Sequence, residues 1–274
     1  MCSGYASGFY TYETGCIVTT RPLDGVTVIS VEQAVAAPLA TRHLADLGAR
    51  VIKVKRVEGG DFAREYDHTV EGTGAHFVWL NRGKESLAVD MKSTGGVDIV
   101  RRLVARADVF VQNLAPGATE RLGLGDATLR ADNPELVTVN LSGYGDGGPF
   151  EQRKAYDMLI QAEAGLIAIT GTPESAVKTG IPTADIAAGM YCCQAVLAAL
   201  LRRCRSGGGA TIDISMLEAT VEWMGYGLYT AMYIGVQPAA WALATRRSPL
   251  TTRIPLVTGR SSSACRTTAG GVLW

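Results

Sequence analysis

The chain has no charge excess of either sign, since 26 Lys and Arg stand against 26 Asp and Glu in 274 residues. That balance excludes a globally basic nucleic-acid binder. Histidine is scarce: only His43, His68 and His76 occur, in no HxxxH or HxH arrangement, so no metal centre is expected. The six cysteines (Cys2, Cys16, Cys192, Cys193, Cys204, Cys265) form no CxxC pair and no compact ladder. Free thiols in a reducing, cytoplasmic setting are therefore expected rather than a disulfide framework. The longest nearly apolar run, 186–201, is broken by Gln194 and is too short to cross a bilayer with ordinary flanks, so it reads as a buried helix and no membrane partner is expected. Residues 1–20 lack the basic and apolar regions of a secretory signal. The turn at 30–38 (SVEQAVAAP) has no glycine, so a GxGxxG dinucleotide fingerprint is missing.

What is present alternates between strand and helix patterns. Val26–Val31 is a β-branched run suited to a buried parallel strand, and Leu39, His43, Leu44 and Leu47 follow at helical spacing. Gly48 ends that helix, and Val51–Val54 supplies a second strand, which makes a βαβ unit. Helix patterns near 96–107, 124–131, 157–169 and 186–203 alternate with strands at 109–111, 136–141 and 210–215, and a last helix runs from Met216 into 226–233. The fold class is α/β, a Rossmann-like parallel sheet flanked by helices. From residue 223 onward there is no Asp or Glu, while Arg246, Arg247, Arg253, Arg260 and Arg266 give +5. Residues 238–274 show no sustained period and read as an irregular basic tail.

Two features carry chemistry. The second strand ends in Lys53, Lys55 and Arg56 rather than an acid, which suits a phosphorylated ribose such as that of NADP or coenzyme A. Alternatively, Lys55 and Arg56 are solvated strand-end charges. Asn81, Arg82, Lys84, Lys92 and Arg121 recur at loop and helix-end positions where phosphates or pantetheine amides could be held. Asp185, just before the apolar helix, sits at or near its N-cap, where backbone N–H groups and the helix dipole would keep it ionised. It is either a structural cap or a carboxylate nucleophile facing a thioester.

Ordered motifs run over residues 22–237: Pro22–Gly25, Leu47–Val54, Asn81–Lys84, Asp90–Lys92, Asp108–Asn113, Pro116–Ala118 with Arg121–Gly123, Asn133–Pro134, Ser142–Gly145, Ala155–Asp157, Asp185 with Gly189–Met190, and Gly207–Asp213. Together they resemble the class III coenzyme A transferases, the CaiB/BaiF family that includes formyl-CoA and carnitine-CoA transferases and is related to methylacyl-CoA racemases. The resemblance implies an acyl-CoA:carboxylate CoA-transferase in which Asp185 is the nucleophile, passing through an aspartyl anhydride and an aspartyl-CoA thioester. It implies coenzyme A or acyl-CoA as substrate with no prosthetic group, and CoA contacts at Gln33, Ala34, Arg56, Val89, Asp90, Met91, Lys92, Asn113, Leu114, Ala115, Arg121, Arg153, Lys154, Ala155 and Tyr156. A carboxylic acid acceptor and, for a full-length chain, an interlocked homodimer are implied as partners.

The sequence departs from that pattern in three places. Where the racemase branch has His before the aspartate of Ala155–Asp157, this chain has Tyr156, a poor proton shuttle at neutral pH because its reference pKa is about 10. Transferase is favoured over a 2-methylacyl-CoA racemase-like enzyme on that ground. Glu85 stands where relatives often have Arg, which removes a phosphate contact. The motifs stop near Val236, so the family's small second domain is expected to be largely missing. The expected organisation is a disordered leader at 1–21, a CoA-binding domain at 22–222, the start of a linker at 223–237 and the basic tail at 238–274. A truncated noncatalytic CoA-binding remnant is the third reading.

Overall fold

The computed structural model describes residues 21–172 and 174–235. The expected leader and basic tail lie outside them, apart from Arg21. In chain order the first half comprises β1 (Thr27–Val31), α1 (Ala36–Asp46), β2 (Arg50–Lys55), a 3-10 turn (Phe62–Glu65), α2 (Ala75–Asn81), β3 (Lys84–Ala88), α3 (Thr94–Val104) and β4 (Val109–Gln112). Then follow α4 (Ala118–Arg121), α5 (Asp126–Asp132), β5 (Val137–Ser142), α6 (Asp157–Glu163) and α7 (Leu166–Ile169). The two-residue pair β6 (Gly171–Thr172) and β7 (Ser175–Ala176) precedes α8 (Thr183–Ser206), β8 (Ala210–Ser215), α9 (Met216–Trp223) and α10 (Gly225–Ile234).

Six strands form one parallel sheet in the order β3-β2-β1-β4-β5-β8. Alternate residues of each central strand face opposite sides, and both sides are covered, so the strand cores read as continuous apolar runs. Val28, Val51, Val109, Val111, Val137 and Val139 pack under α1, α8 and α9. Ile29, Ile52, Val54 and Phe110 pack under α3 and α5 through Val100, Val104 and Leu129. The expected α/β class with helices on both faces is what the chain adopts. The long helix α8 is apolar and long enough to cross a membrane, yet it lies in this core with Ala184, Ala187, Ala188, Cys192 and Val196 buried.

Three expectations change. β3 is an extra strand: its KESLA sequence has no β-branched residue, and it forms as the sheet edge on backbone pairing to β2. The helix expected over 157–169 is two pieces, broken at Gly165, whose φ is +81°. The last helix, expected from Met216 into 226–233, is two pieces, α9 and α10, which meet at Met224.

Candidate functional site

The strand order reverses direction between β1 and β4, and open α/β sheets bind ligands beside such a point, at the carboxyl ends of the strands. A cleft of about 720 Å³ opens there. The segments after β1 (Glu32, Gln33), β2 (Lys55 to Glu58), β3 (Val89 to Lys92) and β4 (Leu114) line it, with Leu122 closing one side. Lys55, Arg56 and Lys92 are its basic side chains, and the Arg56 guanidinium makes a 3.2 Å bond from Nε to the Gly60 carbonyl.

The floor of this region is a buried, charge-balanced cluster. Lys84 Nζ donates to Glu32 Oε1 at 2.7 Å and to the Pro38 carbonyl at 2.9 Å, while Thr41 Oγ1 donates to Glu32 Oε2 at 2.7 Å. Lys53 Nζ is paired with Asp61 and donates to Asn81 Oδ1 at 2.8 Å. Burial opposes ionisation of Glu32, but the Lys84 and Lys53 ammonium groups outweigh it and hold the carboxyl below its usual range. Burial likewise pushes Lys84 down to about 8, with Glu32 opposing. Above this cluster the β1–α1 turn is held on two sides. Gln33 N–H donates to Asn113 Oδ1 and Asn113 Nδ2 donates back to the Gln33 carbonyl, both at 2.9 Å, while Ala34 N–H donates to Asp61 Oδ1 at 3.2 Å. Ala34 has φ +64°, a left-handed conformation that costs a non-glycine residue about 1–2 kcal/mol, so these clamps hold strain.

The turn delivers α1, which starts without a side-chain cap. Its first-turn N–H groups are therefore available to an anion. Burial and, next, the nearby Asp157 charge push the Asp185 carboxyl up to about 7, against a smaller opposing influence of the Ala36 backbone. Asp185 lies inside α8, in its first turn, rather than at the N-cap, which is Pro182. The capping work belongs to Asp157, whose Oδ1 accepts the Ala184 N–H at 2.9 Å and the Asp185 N–H at 3.3 Å. This corrects the expectation that Asp185 is a cap held ionised by the helix. The sequence places two acids near one helix start, and only the fold shows which is spent on the backbone.

Other expected site residues divide by location. Gln33, Arg56, Val89, Asp90, Met91, Lys92 and Leu114 line the cleft, and Ala34 is the strained residue of its turn. Asn113 braces Gln33 instead of lining the cleft. Ala115 lines a separate, smaller cavity of about 150 Å³. Arg121 fastens its own loop through the Pro116 carbonyl at 3.3 Å. Arg153 stacks 3.9 Å over the Phe150 ring, Lys154 is exposed, Ala155 packs on Gly143, and Tyr156 is exposed at the start of α6; none of the four lines the cleft.

The basic positions Arg82 and Lys84, and Asn81 beside them, do not line the cleft. Lys84 and Asn81 belong to the buried cluster, and Arg82 pairs with Asp46 at 2.8 Å. Glu85 accepts from Arg50 Nε and Nη2 at 2.8 and 3.0 Å on the sheet edge. Tyr66 and two residues around it are singled out by no motif in the sequence. Tyr66 follows the 3-10 turn; partial burial and the Asp185 and Asp61 carboxylates push its phenol up to about 12, so it stays a proton donor. His76 stands edge-on to it, ring centroids 5.8 Å apart. Asp61 is the third, and its place in a Gly59-Gly60-Asp61 run in the loop after β2 is the one available hint.

A family model described as CoA-transferase family III matches residues 23–251, most of the chain. The chain belongs to CoA-transferase family III. The family match continues past Val236, where the quoted motifs end. Among family III relatives, the human succinyl-CoA:glutarate CoA-transferase is 37% identical over 209 residues, covering 75% of this chain and 48% of its own length. The acetyl-CoA:oxalate CoA-transferase of Acetobacter aceti is 35% identical, covering 80% of this chain and 57% of its own. The crystal structure of a CAIB/BAIF family protein from Brucella suis superposes with a TM-score of 0.77 at 36% identity, over 80% of this chain and 60% of that one. The chain thus spans about half the length of the curated family III relatives it matches.

Proposed function

We propose that the chain binds an acyl-CoA in the 720 Å³ cleft and passes the CoA to a carboxylic acid through Asp185. The observation that carries this reading is the division of labour at the start of α8: Asp157 caps the helix, which frees the Asp185 carboxylate from that work one turn before Gly189 packs against the uncapped start of α1. An Asp185 oxygen attacks the thioester carbonyl, the C–S bond breaks, and an acyl-aspartyl anhydride and CoA thiolate result. The thiolate then attacks Cγ of Asp185; the anhydride C–O bond breaks, the donor acid leaves as carboxylate, and an aspartyl-CoA thioester remains. The acceptor carboxylate repeats the two exchanges in reverse. Each exchange trades one activated acyl group for another of similar energy, and N–H groups at the α1 start are placed to steady the oxyanions.

The same reading includes a cytoplasmic setting, supported by buried free thiols at Cys192 and Cys193. It also includes a homodimer, supported by the exposed apolar residues Tyr226, Tyr229, Met232, Tyr233 and Ile234 of α10, which ask for a cover. Cleft occupancy is tested by calorimetric titration of CoA. Saturable binding is expected, and Arg56→Ala should weaken it about ten-fold to a hundred-fold, the loss of one charge-assisted contact worth ~1.5–3 kcal/mol. Equal affinity in the variant would remove Arg56 from the site, and no binding by the parent chain would remove the cleft.

A further inference from the structure

We propose that Arg64 and Lys55, together with Arg56, form a phosphate subsite at the Gly60 corner of the cleft, and that this subsite takes the 3′-phosphate of CoA. The proposal deepens the reading of the cleft as an acyl-CoA site and rests on it. Gly60 lines the cleft in the loop after β2, in a left-handed conformation with φ +60°. Its carbonyl accepts the Arg56 Nε–H at 3.2 Å. The point where a Cβ on Gly60 would stand is 3.4 Å from Lys55 Cδ and 3.5 Å from Arg64 Nε, so both side chains close on this one residue. A lysine and two arginines thus surround a single glycine.

Arg64 is prepared for an anion. Its backbone is fixed at both ends, the N–H donating to the Asp61 carbonyl at 3.1 Å and the carbonyl accepting the Gly74 N–H at 2.8 Å. Its guanidinium lies 3.7 Å over the Phe77 ring of α2. That stack engages the flat face and leaves the N–H groups, which point outward in the guanidinium plane, for an oxygen ligand. Among the described residues, Arg64, Lys55 and Arg56 belong to no ion pair. Asp61, the buried acid beside them, is spent on Lys53 and on the Ala34 and Ala63 N–H groups. Cations gathered in this way repel one another, and an anion held between them removes the repulsion.

Charge and position select the anion. A phosphomonoester carries about −1.5 to −2 charge at pH 7 and presents three strong acceptor oxygens, which suits several cations, whereas a carboxylate brings a single charge. In doubly wound sheets the end of the second strand faces the ribose of a bound nucleotide, and an arginine there takes the phosphate on that ribose. The phosphomonoester of CoA is on its ribose, at the 3′ oxygen. Lys53, the remaining basic residue of β2's end, is excluded because it is buried against Asp61.

The experiment is calorimetric titration of the 274-residue chain with CoA and with dephospho-CoA, which lacks only the 3′-phosphate. The parent chain should bind CoA about ten-fold more tightly or better, the gain expected from charge-assisted hydrogen bonds. Arg64→Met keeps a side chain that packs on the Phe77 ring and removes the donors. It should bind CoA roughly ten-fold more weakly and dephospho-CoA as the parent does, and Lys55→Met should act in the same direction. Equal affinity of the parent for the two ligands, or a loss in Arg64→Met that is the same for both, would overturn the proposal. Competition against CoA on the unmutated chain needs no variant to fold: adenosine 3′,5′-bisphosphate should displace it better than 5′-AMP, and equal displacement would also overturn it. A parent chain that binds neither CoA nor dephospho-CoA would sink the acyl-CoA reading itself, and this proposal with it.

Discussion

Replacing Gly189 with valine should destabilise the fold by about 3 kcal/mol or more, among the largest effects a single substitution produces. The added Cβ would sit 2.6 Å from the Ala36 carbonyl oxygen and 3.0 Å from Leu39 Cβ, so α1 and α8 must part or their side chains leave their rotamers. The flexibility of glycine in a helix costs about 1 kcal/mol relative to alanine, so its retention here is a packing matter. Gly95 gives the contrast. It lies in α3, is exposed, and has nothing within 4 Å of a built Cβ, so Gly95→Ala should stabilise by about 1 kcal/mol. Urea unfolding midpoints read both signs. A Gly189→Val midpoint equal to that of the parent chain would show that the α1–α8 contact is looser than described.

The second large effect concerns Asp185 and the stability of the chain against pH. Its carboxyl is raised in the folded state from an ordinary 3.8 to about 7, chiefly by burial and next by the Asp157 charge. A carboxyl so raised binds its proton more tightly folded than unfolded. Its contribution to stability is therefore fully present below about pH 4 and is lost as pH rises through about 7. Asparagine cannot ionise, so Asp185→Asn should match the parent near pH 4 and exceed it at pH 8. A rise of that size corresponds to about 4 kcal/mol at most, and solvent at the partly open site reduces the expected gain to about 2 kcal/mol. Unfolding at the two pH values checks it, and an asparagine variant less stable at pH 8 would mean that the carboxylate is a structural group. A gain in stability on removing a functional group is expected where a site holds a charge in an unfavourable setting.

Most of the sheet was legible in the sequence because parallel strands covered on both faces leave unmistakable β-branched runs, as at Val26–Val31 and Val109–Val111. β3 was not, because an edge strand takes its order from backbone pairing and needs no apolar pattern. The residues of the cleft were largely legible through the family motifs, since those motifs follow successive strands to one end of the sheet. What lay beyond reach was the use made of each charge. Lys53, Arg56, Lys84 and Lys92 look alike in a sequence, yet Lys53 and Lys84 neutralise Asp61 and Glu32 in the interior while Arg56 and Lys92 line the cleft. Asp157 and Asp185 present the same difficulty: both sit near a helix start, and their roles separate only when the α8 N–H groups are seen to point at Asp157.

The central claim is that Asp185 forms a covalent bond to CoA. Its most direct test is mass spectrometry of the 274-residue chain after brief exposure to succinyl-CoA, quenching in acid and digestion with trypsin. The peptide Thr179–Arg202 should gain the mass of CoA less one water, the increment should vanish on treatment with hydroxylamine, and it should form faster as pH rises through about 7. Asp185→Asn should bind CoA with the parent affinity and acquire no such increment. An unmodified Thr179–Arg202 peptide in the parent chain, or an equal increment in Asp185→Asn, would contradict the assignment of Asp185 as the nucleophile.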